Sequence, residues 1–211
     1  MNSKQFIHEL SLISFPNVFN PYRDFCGDHD HSKSPAIRRL NLQRYLDAAL
    51  NHGIDSLWLG RDCGYRGGRR TGIALTDEMQ LETLERHFSF GGITKATVGM
   101  PVKERTATEV WKIIHEVNAK AFLWNVFPFH PYENGNPMTN RRHTTSEFNQ
   151  CKDLLFSLIE WLKPKRIIAL GADAHKEVMQ LGFEVSPVRH PSYGGHIEFA
   201  GTIRKLYALP R

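Results

Sequence analysis

At 211 residues, with 41% hydrophobic and 23% charged side chains, the chain has ordinary globular composition and enough length to bury a core without a metal or disulfide staple, which excludes a disordered tail protein and a collagen-like repeat. Lys and Arg number 27 against 22 Asp and Glu, a net charge of +5, and the pI of about 9.2 favours polyanionic partners such as nucleic acid. No run of about 18 apolar residues occurs, MNSKQFIHELSLISF lacks the apolar stretch of a secretion signal, and Cys26, Cys63 and Cys151 are too few for a disulfide framework, so the expectation is a cytoplasmic protein without a membrane segment.

In chain order, Ser34-Pro35 reads as an N-cap followed by proline in the first turn, and Ile37, Leu40, Leu42, Tyr45, Leu46, Ala49 and Leu50 recur at helical spacing until Gly53. Ser56 to Gly60 is a short apolar run stopped by glycine, the pattern of a buried parallel strand. Thr106 to Glu109 fits a capping box ahead of Val110, Trp111, Ile113, Ile114 and Val117. Ala121 to Trp124 is a second strand, Phe148 to Leu162 a helix ending at Lys163-Pro164, Arg166 to Leu170 a third strand, and Phe183 towards Val188 a fourth. A last helix opens after Gly194-Gly195 and runs to about Leu209. Strands alternating with helices predict a three-layer α/β/α sandwich around a four-stranded parallel sheet. With no repeat or low-complexity segment, one domain over 1–211 is expected.

Ligands of such sheets sit at the carboxyl ends of the strands, and the segments that follow them are the unusual ones. The first, Gly60 to Gly72, holds the lone carboxylate Asp62 among Arg61, Arg66, Arg69 and Arg70, with glycines that permit close backbone approach. The lesser reading is that Asp62 forms a structural ion pair with a neighbouring arginine. The second, Trp124 to Pro131, presents the Asn125 amide, able to donate and accept towards a base edge or to cap its own strand. Phe127, Phe129 and Tyr132 offer stacking surface or core packing. The third, Arg189 to His196, sets His190 before a proline, a hydroxyl and an aromatic. Neither GxxxxGK[ST] nor GxGxxG occurs, which weakens a nucleotide-binding or phosphohydrolase reading.

Together these segments resemble, in order, the three motifs of the uracil-DNA glycosylase superfamily: GRDCGYRGGRRTGIALTDE the water-activating motif, WNVFPFHP the base-reading motif, RHPSYGGHIEF the leaving-group and DNA-wedge motif. The resemblance implies that Asp62 orients water and opposes the sugar cation, Asn125 hydrogen-bonds the flipped pyrimidine, and His190 donates to the departing base. It places Gly60, Cys63, Leu75 and Phe127 around the base. It gives DNA contacts to Arg66, Arg69, Arg70, Arg189 and Ser192, and the gap-filling role to Tyr193. Relatives sharing the GYRG surroundings carry Glu-Ala-Pro where this chain has Arg61-Asp62-Cys63. Leu75 stands where many members stack an aromatic on uracil, and Gly64 replaces a bulky tyrosine, leaving room beside C5.

The implied function is a monofunctional DNA glycosylase that releases uracil or a 5-modified pyrimidine and leaves an abasic site. The alternatives are release of a hypermodified cytosine from phage DNA in antiviral defence, and a catalytically silent DNA-binding member of the fold. DNA is the expected partner, with no obligate protein partner and a monomer as the family's usual state. No cofactor is expected: three cysteines without CxxC spacing cannot supply a four-cysteine iron–sulfur site. Cys26-Gly27-Asp28-His29-Asp30-His31 has metal-binding composition, but neighbouring residues on one loop seldom converge on an ion, and no metal is expected.

Overall fold

The computed structural model describes residues 2–192 and 194–208. Its elements are α1 (Ser3–Leu12), β1 (Val18–Phe19), α2 (Ser34–His52), β2 (Ser56–Asp62), α3 (Gly68–Thr71), α4 (Leu81–Phe88), α5 (Arg105–Val117), β3 (Ala121–Phe127), β4 (His130–Pro131), α6 (Thr145–Leu162), β5 (Arg166–Leu170), α7 (Ala172–Gln180), β6 (Ser186–Val188) and α8 (His196–Ala208). The main sheet is four-stranded and parallel in the order β3-β2-β5-β6. Its strands β2, β3 and β5 are largely buried because helices cover both faces, as parallel sheets require, while the edge strand β6 is partly exposed.

Side chains alternate across the sheet, and the register assigns the two faces. Phe122 and Trp124 point to the layer of α1 and α2, where Tyr45 stacks on Phe122 at 4.4 Å and Phe6 meets Trp124 at 5.8 Å. Trp58 points to the opposite layer and meets Phe199 and Tyr207 of α8. The predicted three-layer sandwich is the architecture found.

The element ends differ from expectation for local reasons. Helix α2 begins at Ser34, so Lys33 is the flanking residue. The Ser34 hydroxyl is turned to tertiary contacts, accepting from His31 N at 2.9 Å and donating to Ala96 O. The box predicted at Thr106–Glu109 is not formed, because α5 starts two residues earlier with Glu104 flanking it and no side-chain cap. A complete capping box stands instead at α6, where Thr144 and Glu147 satisfy each other's backbone N–H groups. Strands β2 and β3 each run further than their apolar runs, to Asp62 and Phe127. Helices α1, α3, α4 and α7 and the small antiparallel pair β1–β4 lie outside the predicted set.

Candidate active site

The register of β2 and β3 positions two motif residues. Gly60 pairs with Asn125 and Asp62 with Phe127. Residues two apart on a strand share a face, so Asp62 and Asn125 project from neighbouring strands to the same side, one step apart. Glycine at 60 is required by that approach: a Cβ there would stand 2.5 Å from Asn125 Oδ1 and 3.0 Å from Leu75 Cδ2. Leu75 is held at φ 53°, a left-handed backbone that a side-chain-bearing residue adopts only under constraint. Gly60, Leu75, Asn125 and Cys63 therefore form one buried group, with Asn125 Nδ2 3.3 Å from Cys63 Sγ. Turning the Asn125 amide over satisfies both its ends, with its oxygen 3.2 Å from Cys63 N and its nitrogen 3.3 Å from Trp124 O. Burial pushes the Cys63 thiol up to about 12, so it packs as a neutral group.

Asp62 is almost wholly buried and is clamped from two sides. Arg61 Nε donates to Oδ2, and His143 Nδ1 meets Oδ1. The other His143 nitrogen lies 2.7 Å from Glu177 Oε1 of α7. Arg61 and Arg142 both pair with Asp173, at 3.1 and 3.0 Å. Of the four arginines in its loop, only Arg61 contacts Asp62. His143 and Glu177 have no place in the sequence-predicted site: they lie 81 and 115 positions from Asp62 in the chain, and no local spacing signals the contact.

His190 lies just beyond the edge strand β6, on the far side of β5. Its Cβ is 3.5 Å from where a Cβ of Gly171 would stand, and the Arg61 charge acts on it. Its Nδ1 accepts from Ser192 N at 3.2 Å and lies 2.6 Å from Ser192 Oγ. With Nδ1 accepting, the ring proton resides on Nε2. Burial, then the charges of Arg61 and Arg189, push its pKa down to about 4, so the ring is neutral at pH 7. Ser192 thus serves to fix this tautomer.

Several expectations are corrected. Phe127 is fully buried against His143, Phe129 and Phe15, and has no face left for a base. Arg69 and Arg70 are not on the surface. Arg69 lies 3.9 Å over the Phe19 ring and binds His130 Nδ1 and Pro137 O, while Arg70 pairs with Glu78 at 3.1 Å. Arg66 and Arg189 are exposed, as a DNA contact requires. The room above Gly64 is occupied by Glu104, whose carboxyl packs on both Gly64 and Gly67. Burial and the nearby Asp77 raise that carboxyl to about 7, against the pull of Arg66. Tyr193 lies outside the described residues. In the Cys26–His31 segment, Cys26 Sγ is 3.6 Å from His29 Nδ1 and Asp30 is taken by Arg38. Among the described residues no group of three His, Cys, Asp or Glu is placed to hold a metal ion. No helix among them is long and apolar enough to cross a membrane.

No curated protein matches the chain. The solved structure of wild-type SMUG2 from Pedobacter heparinus has the same fold, with a TM-score of 0.64 at 14% sequence identity over 98% of this chain and 97% of that one. The model of the Uracil DNA glycosylase superfamily matches residues 57–201. That span opens on β2, closes in α8, and takes in Asp62, Asn125, His143, Glu177 and His190. The chain belongs to the uracil DNA glycosylase superfamily.

Proposed function

We propose that this protein is a monofunctional DNA glycosylase that flips a pyrimidine nucleotide out of DNA and hydrolyses its N-glycosidic bond. Water adds to the sugar carbon, the base leaves as an anion, and an abasic site remains. The observation that carries the reading is the strand register that sets Asp62 and Asn125 side by side on one face, with a neutral His190 beyond the edge of the same sheet.

Each group suits its step. Positive charge develops on the sugar as the bond breaks, and the fixed Asp62 carboxylate opposes it while orienting water. The Asn125 amide reads the base edge. His190, its proton on Nε2, donates a hydrogen bond to the base oxygen as negative charge gathers there, without surrendering the proton. No lysine stands at a motif position, so no Schiff-base lyase step follows. Exposed Arg66 and Arg189 contribute phosphate contacts.

The substrate is uracil or a 5-modified pyrimidine. The Glu104 carboxyl above Gly64 supports a pyrimidine whose 5-side presents a hydrogen-bonding group over one with a bare methyl. The test is single-turnover incubation with oligonucleotides carrying uracil or 5-modified cytosines, with released base scored by mass spectrometry. Free base and abasic sites are expected from one of these, and Asp62→Asn and Asp62→Ala should abolish release while DNA binding survives. Full activity in both variants removes Asp62 from the mechanism. Absence of release from every substrate, with DNA binding intact, favours a silent binding protein instead.

A further inference from the structure

One buried group that the proposed mechanism leaves unused is His143, and its surroundings dictate its protonation state. The ring is shut off from solvent, with its centroid 4.9 Å from that of Phe127. Nδ1 faces Asp62 Oδ1, and Nε2 faces Glu177 Oε1 at 2.7 Å. An ionised carboxylate only accepts, whereas a neutral imidazole has one N–H and one lone pair. Between two carboxylates, a neutral ring would aim its lone pair at one of them. Only the doubly protonated ring donates to both.

The charges around it agree. Asp62, Asp173 and Glu177 are met by Arg61, Arg142 and the His143 imidazolium, three anions against three cations. The adjoining Arg141 is taken by Glu147 of α6, and His190 stands beyond Arg61. Among the described residues Glu177 Oε2 has no hydrogen-bond partner, so His143 is the one group seen to bond that carboxylate. Loss of the His143 proton would leave a net negative charge where two carboxylates already face each other across the ring.

We propose that His143 is a positioning residue for base release: locked between Asp62 and Glu177 as an imidazolium, it fixes the Asp62 carboxylate, and Glu177 holds the imidazolium in place. Burial draws the His143 pKa down, but the hydrogen bonds and charges of Asp62 and Glu177 outweigh it and bring it to about 9. The effect on catalysis rests on the glycosylase reading, whereas the protonation state does not, so the two are tested separately.

The first measurement is nitrogen NMR of the imidazole rings in the intact protein, with His143 assigned through His143→Asn. Both His143 nitrogens should carry protons at pH 7 and lose one near pH 9, and Glu177→Gln should bring that loss to lower pH. A neutral His143 ring at pH 7 overturns the proposal even if no substrate is ever found. The second is single-turnover base release against pH. Wild type should lose activity through pH 9, Glu177→Gln should show the same loss at lower pH, and His143→Asn should lower kcat by about a hundredfold with KM kept, as for a carboxylate displaced by about 1 Å. Since Asn keeps a donor towards Asp62 without the charge, full activity in His143→Asn sinks the idea, as does an alkaline limb unmoved in Glu177→Gln. Thermal unfolding of each variant separates lost folding from lost positioning, and the wild-type NMR result stands whether or not the variants fold.

Discussion

At the scale of single residues, the site depends on a side chain that is absent. Gly60 lets Asn125 and Leu75 close over β2, and a Cβ there would intrude to 2.5 Å of Asn125 Oδ1. Gly60→Ala should therefore push the Asn125 amide off its position, and a misplacement of about 1 Å in a reading group costs roughly a hundredfold in rate. The obstructing atom is the end of a side chain, so the protein should still fold. The checks are single-turnover base release and a melting curve: a normal rate in Gly60→Ala would mean that Asn125 does not set the reacting geometry. The same scale shows where charge misleads. Arg69 and Arg70 read from sequence as exposed cations, yet each has a buried partner set, Phe19 and His130 for one and Glu78 for the other. Those partners sit elsewhere in the chain, two of them on two-residue strands that carry no periodic pattern.

Among elements, α6 connects stability to the site. Its capping box ties Thr144 to Glu147, Glu147 in turn holds Arg141, and the residue immediately before the cap is His143. Thr144→Ala removes the side-chain acceptor for the Glu147 N–H and should cost about 1 kcal/mol, which for a chain of this size lowers Tm by about 2–4 °C. Because the cap sets the path of the chain at His143, base release should fall by more than the small unfolded fraction explains. An unchanged rate at unchanged Tm would detach the cap from both roles. The alternation of strands and helices was legible because β2, β3 and β5 are apolar runs ended by glycine or polar residues. Helix α7 was not: Ala174 and Val178 are its buried apolar residues, too sparse for a stripe, and its inward Glu177 reads as surface charge until His143 is found against it. That Asp62, Asn125 and His190 stand at or near the carboxyl ends of strands was legible from sequence, because each sits in a recognisable motif that follows or closes an apolar run. The ion pair of Asp62 with Arg61 was one of the readings its neighbouring arginines allowed, whereas the His143–Glu177 side of the clamp was not legible, since it joins three segments through tertiary contact alone.

For the whole molecule, the buried His130 and His143 and the half-buried His190 tie stability to pH with opposite signs. Burial, then the Arg69 charge, lowers His130 to about 3, and burial with Arg61 and Arg189 lowers His190 to about 4. Both rings are neutral in the fold, so their contribution is complete above the unfolded histidine value of about 6.5 and is lost as pH falls towards the folded values. His143 has the reverse sign: raised to about 9, it contributes fully below about 6.5 and the contribution is lost as pH rises through 9. Stability should therefore be greatest near neutrality and decline on both sides. Carboxylates, tyrosines and lysines also titrate at the extremes, so the decisive quantity is the difference between wild type and variant rather than either curve alone. Urea unfolding from pH 4 to 10 should show the wild type losing stability between pH 7 and 10 more steeply than His143→Asn, with the two converging at the alkaline end. Parallel curves over that range would mean that the His143 proton is not held by the fold. On the acid side, His143→Asn should retain the wild-type slope, because the histidines with lowered pKa, His130 and His190 together with His29 and His87, all remain in the variant.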